Sequence, residues 1–476
     1  MSRRLALLVF TFLTVLIWIS PVEAAESDAS LVEEVMTIIR EYHLSNPDPD
    51  DLTRGAINGM LETLDDPYAQ YFTEEELKDF TGTLNGDLVG VGIEIRTGDK
   101  HPFVVRVFPG TPAERGGLVA GDIILAVDGQ STEGRPLPDV AQQIRGPRGT
   151  QVILTLQRGG KEFDVVLQRA EVHVPSVEYE MLAGGTGYVK VTSFGTRTAE
   201  EFDAAMRSLQ ADGMLSLIID LRDNGGGYLQ ECVDVVDNFL AEGTLVVSTV
   251  DGRGNREKVI TREKPLFEGL PMVVLINGLT ASASEILAGA LQDYGVATLV
   301  GETTFGKGVV QTIIPVSSGG ALKLTISKYL TPAGKDIDSS GLQPDYSVLT
   351  DELQKEVAWQ LLHPEDDPDL AFIPGSGKAR VNGREIDLPV DVLQKDGKEY
   401  LPLRIVLEAL ACQVFWRDGL IEVHPGGQES MVFDIRRGNE VFLQNGISYL
   451  PVNLLPELNI TVTKKQNNYL LVRELP

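Results

Sequence analysis

The chain has 476 residues, and 43% of them are hydrophobic, which is enough for several globular domains. Its 41 basic and 69 acidic residues leave a formal net charge of −28, which argues against nucleic acid or an anionic membrane surface as a partner. The two cysteines, Cys232 and Cys412, fall in different predicted domains, so we expect two buried thiols and no disulfide between them. No Cys-x-x-Cys or Cys/His cluster indicates a metal site, and no cofactor is expected.

The N-terminus has the pattern of an export signal. Arg3 and Arg4 precede an uncharged apolar run at 5–19, and an Ala-x-Ala-like site ends at Ala24. This pattern predicts a signal peptide over residues 1–24 and a protein that is secreted or associated with the cell envelope. An uncleaved membrane anchor is the alternative, although an apolar run of about 15 residues is short for a membrane span.

Residues 25–82 are predicted to be helical. Apolar residues recur at helical spacing from Ser30 to Tyr42, and a second helix is predicted from Asp51 to Leu64. Neither helix carries a residue that is typical of catalysis. We therefore expect a packing or dimerisation element, and a homodimer through these helices is one expected assembly.

Residues 83–171 have the pattern of a compact β-rich module. A glycine-bearing turn runs into a strand that ends at residue 95, a second strand spans 103–107, and residues 121–129 read Gly-Asp-Ile-Ile-Leu-Ala-Val-Asp-Gly. Together these segments resemble a PDZ domain. The resemblance implies that backbone amides of one loop bind the C-terminal carboxylate of a peptide. That loop consists of Gly90, Val91, Gly92 and Ile93.

Residues 172–363 predict a core in which strands and helices alternate. Buried-strand patterns occur at 217–222 and 273–277, and Thr198 with Glu201 matches a capping box that would begin a helix. Such alternation is typical of an α/β layered core.

A serine stands between the strand at 273–277 and the helix-forming stretch at 283–291. Ser282 with Glu285 matches a capping box, which places Ser282 at the helix N-terminus. Unpaired amides and the positive end of the helix dipole lie there, and both stabilise a developing oxyanion. The alternative is that Ser282 only caps the helix.

A serine hydroxyl is a poor nucleophile until a base takes its proton, and no histidine lies between His173 and His363. Lys307, which is flanked by two glycines, is the candidate base, since a buried lysine can lose its proton near neutral pH. Gln311 follows four residues later and could hold the amine through its side-chain carbonyl. The alternative is that Lys307 is an exposed loop residue.

A third motif lies upstream, where the strand at 217–222 runs into a glycine-rich turn at 225–227. Such a turn can direct backbone amides at an anion. A tight turn with no further role is the alternative.

Together the three motifs resemble those of the carboxyl-terminal processing peptidases, or tail-specific proteases, which are serine proteases with a Ser-Lys dyad. The resemblance covers about residues 30 to 363. Thr280 stands where the family pattern has serine, and Gly225 stands where proline is common. The site residues that the resemblance implies are Ser282 as nucleophile, Lys307 as base, Gln311 beside the lysine, and the amides of Ala283 and of Gly226 (or Gly227) as oxyanion donors.

The acidic, proline-broken run from His363 to Asp369 indicates a linker, which we place at 364–378. Residues 379–476 predict short strands around one helix, and this small α+β module resembles the N-terminal domain of copper amine oxidases. The name implies no copper here, because the module has one histidine, His424. We expect it to bind a cell-wall, surface or protein partner.

The predicted fold is a multidomain α/β protein with N-terminal helices, a β-rich PDZ domain, an α/β layered protease core of the crotonase or ClpP type, and a small α+β C-terminal module. The resemblance implies an exported serine endopeptidase whose substrates are proteins or peptides with free C-termini. Arg145 is a candidate link between the PDZ domain and the core, or else a solvated turn residue. The alternatives are a catalytically silent PDZ scaffold and a crotonase-type acyl-CoA enzyme; the second would explain neither the export signal nor the PDZ domain.

Overall fold

The computed structural model describes residues 26–317, 319–426, 429–437 and 441–475. The predicted signal peptide, residues 1–24, lies outside them. A first compact unit ends at Tyr71. Its elements are α1 (Glu26–Tyr42) and α2 (Pro49–Glu62), and the short strand β1 (Gln70–Phe72) follows.

The helices of this unit expose apolar surface. α2 begins where the Asp48 carboxylate accepts a hydrogen bond from the Asp50 amide (2.8 Å), with proline at the first helical position. Apolar side chains of α1 and α2 line an open groove of about 470 Å³. Leu31 is 58% exposed and Met60 is 60% exposed. Across the described ranges, no helix is long and apolar enough to cross a membrane.

The β-rich module that follows is an antiparallel sheet with strand order β3-β4-β5-β7-β8, and β6 pairs with β5. Val104, Ile124 and Leu154 are fully buried in its core. β2 and β9 form a separate antiparallel pair, so the chain enters and leaves the module side by side. The elements are α3 (Glu74–Leu84), β2 (Asp87–Gly90), β3 (Ile93–Arg96), β4 (Phe103–Val107), α4 (Pro112–Arg115), β5 (Ile123–Val127), β6 (Gln130–Ser131), α5 (Leu137–Ile144), β7 (Gln151–Arg158), β8 (Lys161–Gln168) and β9 (Ala170–His173).

The core has a central sheet with strand order β10-β11-β12-β15-β16-β19, in which the strands from β11 to β19 run parallel. A second, antiparallel sheet contains β17, β18, β13 and β14 in this order. The elements are β10 (Val177–Met181), β11 (Thr186–Val191), α6 (Thr198–Ala211), β12 (Ser216–Asp220), α7 (Leu229–Val236), β13 (Leu245–Asp251), β14 (Arg256–Ile260), β15 (Met272–Ile276), α8 (Ala283–Asp293), β16 (Thr298–Gly301), β17 (Val309–Pro315), β18 (Ala321–Leu330), β19 (Tyr346–Ser347) and α9 (Asp351–Leu362).

Both faces of the central sheet are covered. β12 and β15 are buried along their whole length, as expected of parallel strands packed on both sides. Leu217 and Ile219 face a cluster that includes residues of α6, α7 and α8. Ile218 faces a second cluster, which contains residues of α9 and of the C-terminal module.

The capping box predicted at the start of α6 was wrong. Thr198 and Glu201 do not form a capping box, because α6 begins at Thr198 itself and its N-cap, Arg197, makes no side-chain cap. The Glu201 carboxylate instead accepts hydrogen bonds from the amide (2.7 Å) and hydroxyl (2.8 Å) of Ser176. It therefore ties α6 to the segment before β10.

The C-terminal module packs directly on the core. Leu370 and Leu407 share one buried cluster with Leu353 and Val357 of α9. The elements are β20 (Asp369–Phe372), β21 (Ala379–Val381), β22 (Arg384–Ile386), β23 (Leu393–Lys395), β24 (Lys398–Pro402), α10 (Leu403–Ala409), β25 (Gln413–Arg417), β26 (Leu420–His424), β27 (Met431–Asp434), β28 (Phe442–Gln444), β29 (Ile447–Pro451), β30 (Ile460–Lys465) and β31 (Asn468–Arg473).

The predicted linker at 364–378 therefore needs a correction. Its residues Asp369–Phe372 form β20, which pairs with both β21 and β31. Leu370 and Phe372 alternate with polar or small neighbours and point into the buried cluster. The aspartates and prolines before this strand suggested a tether, whereas the apolar alternation within it decides the structure.

Both cysteines are buried free thiols, as expected. The Cys232 thiol donates a hydrogen bond to the carbonyl of Ala283 (3.1 Å). Burial raises the pKa of Cys412 to about 11.

Candidate active site

Ser282 lies at a sharp turn between β15 and α8. Its backbone has φ 58° and ψ −119°, a conformation that is costly for a residue with a side chain. The turn before it is held by Thr280, whose hydroxyl donates to the carbonyl of Leu221 (2.9 Å), and whose amide donates to the carbonyl of Asn277 (2.9 Å). A strained strand-to-helix turn of this kind presents a nucleophilic side chain at the edge of a parallel sheet.

The neighbouring serine is differently placed. Ser284 is fully buried, and its hydroxyl donates a hydrogen bond to the carbonyl of Asn224 (3.0 Å). Ser282 is partly exposed and lines an open cleft. The geometry thus favours Ser282 as the nucleophile.

The glycine-rich turn packs against Ser282. A Cβ atom on Gly226, which has φ 99°, would lie 2.8 Å from the Ser282 Cβ and 2.9 Å from the Ala283 amide nitrogen. The Gly226 amide donates to the side-chain oxygen of Asn224 (2.9 Å). For the Gly227 amide, no acceptor is found among the described residues.

These contacts bear on the predicted oxyanion donors. Ala283 is the first residue of α8, so its amide has no partner within the helix. Gly226 supplies the close approach of the turn to the helix end, but its own amide is already bonded. Gly227, the alternative position, has an amide that is open to a ligand.

Lys307 lies on the loop between β16 and β17. Its amine donates a hydrogen bond to the side-chain oxygen of Gln311 (3.0 Å), which is the contact that the sequence suggested. Gly306 has φ 83°, and a Cβ atom on Gly308 would lie 2.6 Å from the Asp338 amide nitrogen. Glycine is therefore required on both sides of the lysine, because the loop packs closely against the backbone around 338.

One cleft of about 760 Å³ brings these groups together. It is bounded by α3, the glycine turn, the N-terminus of α8 and strands β17 and β18. No histidine is among the described residues that line it. Of the predicted site residues, it is lined by Ser282, Ala283, Gly226, Gly227, Lys307 and Gln311.

Sequence reasoning missed Tyr329. Its hydroxyl, almost fully buried, donates to the carbonyl of Ser282 (3.2 Å). Burial, together with the nearby charge of Glu285, raises the pKa of Tyr329 far above its usual value. The phenol therefore stays protonated and acts as a fixed donor to the nucleophile's backbone. Nothing in its strand pattern marks it, because an alternating aromatic residue looks like ordinary core.

A second groove of about 580 Å³ runs along the β-rich module and continues onto the core. The predicted carboxylate-binding loop lines it, and Gly92 at φ 85° lies against Thr111, so that a Cβ atom there would clash. Arg145 lines the same groove, with its Cγ 4.0 Å from a Cβ built on Gly90. Thr192 lines both this groove and the cleft that holds Ser282, so the two adjoin.

Comparison with known families explains this combination. Residues 185–348 match the model of peptidase family S41, residues 103–158 that of the PDZ domain, and residues 20–76 that of the activating protease CtpB N-terminal domain. A probable CtpA-like serine protease of Staphylococcus aureus (strain COL) is 38% identical over 69% of this chain and 66% of its own length. This chain belongs to peptidase family S41. The predicted family, the PDZ domain and the multidomain α/β fold are confirmed.

Two further similar proteins are also described as proteases. A probable CtpA-like serine protease of Staphylococcus epidermidis is 38% identical over 68% of this chain and 66% of its own length. The matched segment thus spans about two thirds of these relatives. The photosystem II D1 C-terminal processing protease is 31% identical, with 69% of this chain and 94% of that chain covered and a TM-score of 0.43. Residues 339–424 match the copper amine oxidase N-terminal domain, a match that begins within the core.

Proposed function

We propose that this S41 protein is an exported serine endopeptidase that binds the C-terminal tails of its substrates at the PDZ domain and hydrolyses their peptide bonds with Ser282 and Lys307. The observation that carries the proposal is the shared cleft. Ser282, at the strained N-terminus of α8, lines this cleft together with the glycine turn at 225–227. Lys307, whose amine donates a hydrogen bond to Gln311, lines it as well.

The chemistry follows from these positions. The Ser282 hydroxyl attacks the substrate carbonyl while neutral Lys307 takes its proton. The tetrahedral oxyanion accepts hydrogen bonds from the amides of Ala283 and Gly227, two donors next to the nucleophile. Lys307 then gives the proton to the leaving amine, and a water molecule activated by the same lysine hydrolyses the acyl-enzyme. Gln311 orients the lysine amine through their hydrogen bond.

The PDZ groove supplies substrate. Amides of the loop from Gly90 to Ile93 would bind the terminal carboxylate, and the tail would extend along the groove toward Thr192 and the cleft. Binding there raises the local concentration of peptide at Ser282. Amidation of a substrate's C-terminus is therefore expected to weaken cleavage, and equal cleavage of amidated and free-acid peptides would exclude carboxylate binding.

The other parts of the chain have proposed roles as well. The exposed apolar groove between α1 and α2 suits a second copy of the same helices, which would form a homodimer. The apolar run at 5–19 would direct export, so the enzyme would act outside the cytoplasm. A cell-wall or surface partner remains our proposal for the C-terminal module.

Fluorophosphonate labelling followed by peptide mapping tests the proposed nucleophile. We expect the adduct on Ser282, and we expect Ser282→Ala to fold normally but to lose both labelling and hydrolysis. Ser284→Ala is the matched control, because it removes a hydroxyl two residues away that is buried and bonded to Asn224. It should still be labelled. An adduct on Ser284, or labelling of the Ser282→Ala variant, would refute the assignment.

A further inference from the structure

Glu285 is fully buried in the first turn of α8, directly beneath the candidate active site. A carboxylate without hydrogen bonds is costly to bury, so the groups that donate hydrogen bonds to Glu285 indicate its role. Its Oε2 accepts hydrogen bonds from the amides of Ser282 (2.8 Å) and Lys307 (2.9 Å). Its Oε1 accepts from the amide of Gly306 (2.8 Å) and the hydroxyl of Thr304 (2.5 Å).

These bonds join two separate parts of the chain. Three of the four donors are backbone amides, which can only donate, so both carboxylate oxygens serve as acceptors. One donor belongs to the turn that carries Ser282, and three belong to the loop that carries Lys307. A single oxygen atom thus contacts the backbone of the nucleophile and the backbone of the base.

We infer that Glu285 is a positioning residue, which fixes Ser282 and Lys307 relative to each other without touching substrate. The inference rests on the proposed Ser282–Lys307 chemistry. Proton transfer between the two requires hydrogen-bond distance, and a displacement of about 1 Å can lower the rate on the order of 100-fold. The role of the residue as a helix cap is part of the same arrangement, since its bond to the Ser282 amide closes the first turn.

The loop has other attachments, so a change at Glu285 should loosen the site rather than unfold it. The Phe305 amide donates to the carbonyl of Thr280 (3.0 Å), and the Thr304 amide donates to the carbonyl of Leu342 (3.1 Å). These bonds hold the loop near the turn, but they contact neither Ser282 nor Lys307 directly.

Glu285→Gln tests the inference with a side chain of the same size. The amide group has one acceptor oxygen, and its NH₂ would face backbone amides that also donate. For the full-length protein we expect kcat on a peptide substrate and the rate of fluorophosphonate labelling to fall together, on the order of 100-fold. KM and the affinity for a tail peptide should stay within about twofold, because neither groove changes.

Glu408→Gln is the matched control. Glu408 is also fully buried and also accepts from two backbone amides, those of Leu349 (3.2 Å) and Thr350 (3.0 Å), but it lies in the C-terminal module. It should lower Tm without a selective loss of kcat. If Glu285→Gln lowers kcat no more than Glu408→Gln at a similar loss of Tm, Glu285 is merely structural and the inference is overturned.

Thr304 provides a second variant if Glu285→Gln does not fold. Thr304→Val removes the hydrogen bond to Glu285 on the side of the base and also the acceptor of the Leu342 amide (2.7 Å). We expect kcat to fall about tenfold with KM unchanged, and Thr304→Ser, which keeps the hydroxyl, should restore most of the activity. Full activity of Thr304→Val would overturn the inference. The proposed function is judged separately, since its failure would appear in the wild-type protein as an absence of Ser282-dependent hydrolysis.

Discussion

The proposed role of Lys307 as the base requires an amine that can give up its proton, which an arginine guanidinium cannot do. Lys307→Arg keeps the positive charge and a donor for Gln311, but the guanidinium stays protonated. Because a general base typically contributes 10²–10⁴-fold, we expect kcat to fall about 10³-fold. Steady-state hydrolysis of a peptide measures this.

Lys335→Arg is the control for that substitution, since Lys335 is exposed and pairs with Asp293 away from the cleft. Its activity should match that of the wild type. Near-normal turnover by Lys307→Arg would rule out the dyad.

Gly226 and Gly225 form a natural pair for comparison. A Cβ atom at Gly226 would lie 2.8 Å from the Ser282 Cβ at a positive φ, whereas a Cβ atom at Gly225 would contact nothing within 4 Å. Gly226→Ala should therefore displace the nucleophile and lower kcat on the order of 100-fold. Gly225→Ala should remain within about twofold of wild type. Equal activity of the two variants would show that the turn tolerates a side chain next to Ser282.

The element that carries this turn is anchored by a buried ion pair. Asp220 at the end of β12 is fully buried, and Arg222 bonds both of its carboxylate oxygens (2.9 and 2.6 Å). The same guanidinium donates to the carbonyl of Asp351 (3.0 Å) and the side chain of Gln354 (3.1 Å) on α9. The ion pair thus holds the glycine turn, the central sheet and α9 together.

Arg222→Met is expected to lower the free energy of unfolding by about 3–5 kcal/mol at neutral pH, because it leaves a buried carboxylate without its charge partner. Arg436→Met provides the contrast. Arg436 is exposed and pairs with Asp434 in the C-terminal module, so its replacement should lower the free energy of unfolding far less than that of Arg222. Thermal or denaturant unfolding of the three proteins gives the comparison.

The same pair predicts a dependence on pH. Burial alone would raise the pKa of Asp220, but the hydrogen bonds and charge of Arg222 hold it below its usual value. The stabilisation is therefore fully present above about pH 4 and is lost as the pH falls through the folded-state pKa. In Arg222→Met the guanidinium no longer offsets burial, and only the Tyr188 hydroxyl (2.6 Å) and the backbone amide of residue 222 (2.9 Å) still donate to Asp220. The pKa of Asp220 should therefore be higher in the variant than in wild type, and the difference in Tm between the two proteins should narrow from pH 7 to pH 3. A difference in Tm that stays constant from pH 7 to pH 3 would contradict this pH dependence.

Secondary-structure elements were predicted best where a local sequence pattern is compatible with only one structure. The strand predicted at 273–277 forms as the buried parallel strand β15, which ends at Ile276, and Ser282 is the N-cap residue of the helix that follows. Thr198 and Glu201 also match the capping-box pattern, but they do not cap α6, because the Glu201 carboxylate accepts hydrogen bonds from the amide and hydroxyl of Ser176 instead. Local patterns cannot rank a local hydrogen bond against one from a segment 25 residues away. For the same reason, Glu285 was predicted as a cap, and its bonds to the Lys307 loop were not.

At the scale of the whole molecule, the C-terminal module is continuous with the core. Leu407 of α10 is fully buried in the cluster that also contains α9 and the outer face of the central sheet. Composition suggested a tethered appendage, because an acidic run with prolines is common in linkers. A sequence cannot show which apolar faces meet when they are separated by a hundred residues or more.

This packing predicts that the core and the module unfold together. Leu407→Ala should lower stability by about 2–5 kcal/mol and lower the temperature at which fluorophosphonate labelling of Ser282 is lost. Val432→Ala, at an exposed position of the same module, should have little effect on either. If Leu407→Ala shifted a separate calorimetric transition and left the labelling temperature unchanged, the module would be independent.

The strand pair β2–β9 allows the PDZ domain to be replaced as a unit. Asp87 lies opposite His173 in this pair, so the domain begins and ends at adjacent points of the scaffold. A domain with a different tail preference could replace the segment from β2 to β9, with both junctions just outside these strands. The resulting chimaera would select different substrates with the same catalytic residues. Gly86 must be kept in such a chimaera, because a Cβ atom there would lie 2.2 Å from the carbonyl oxygen of Val174.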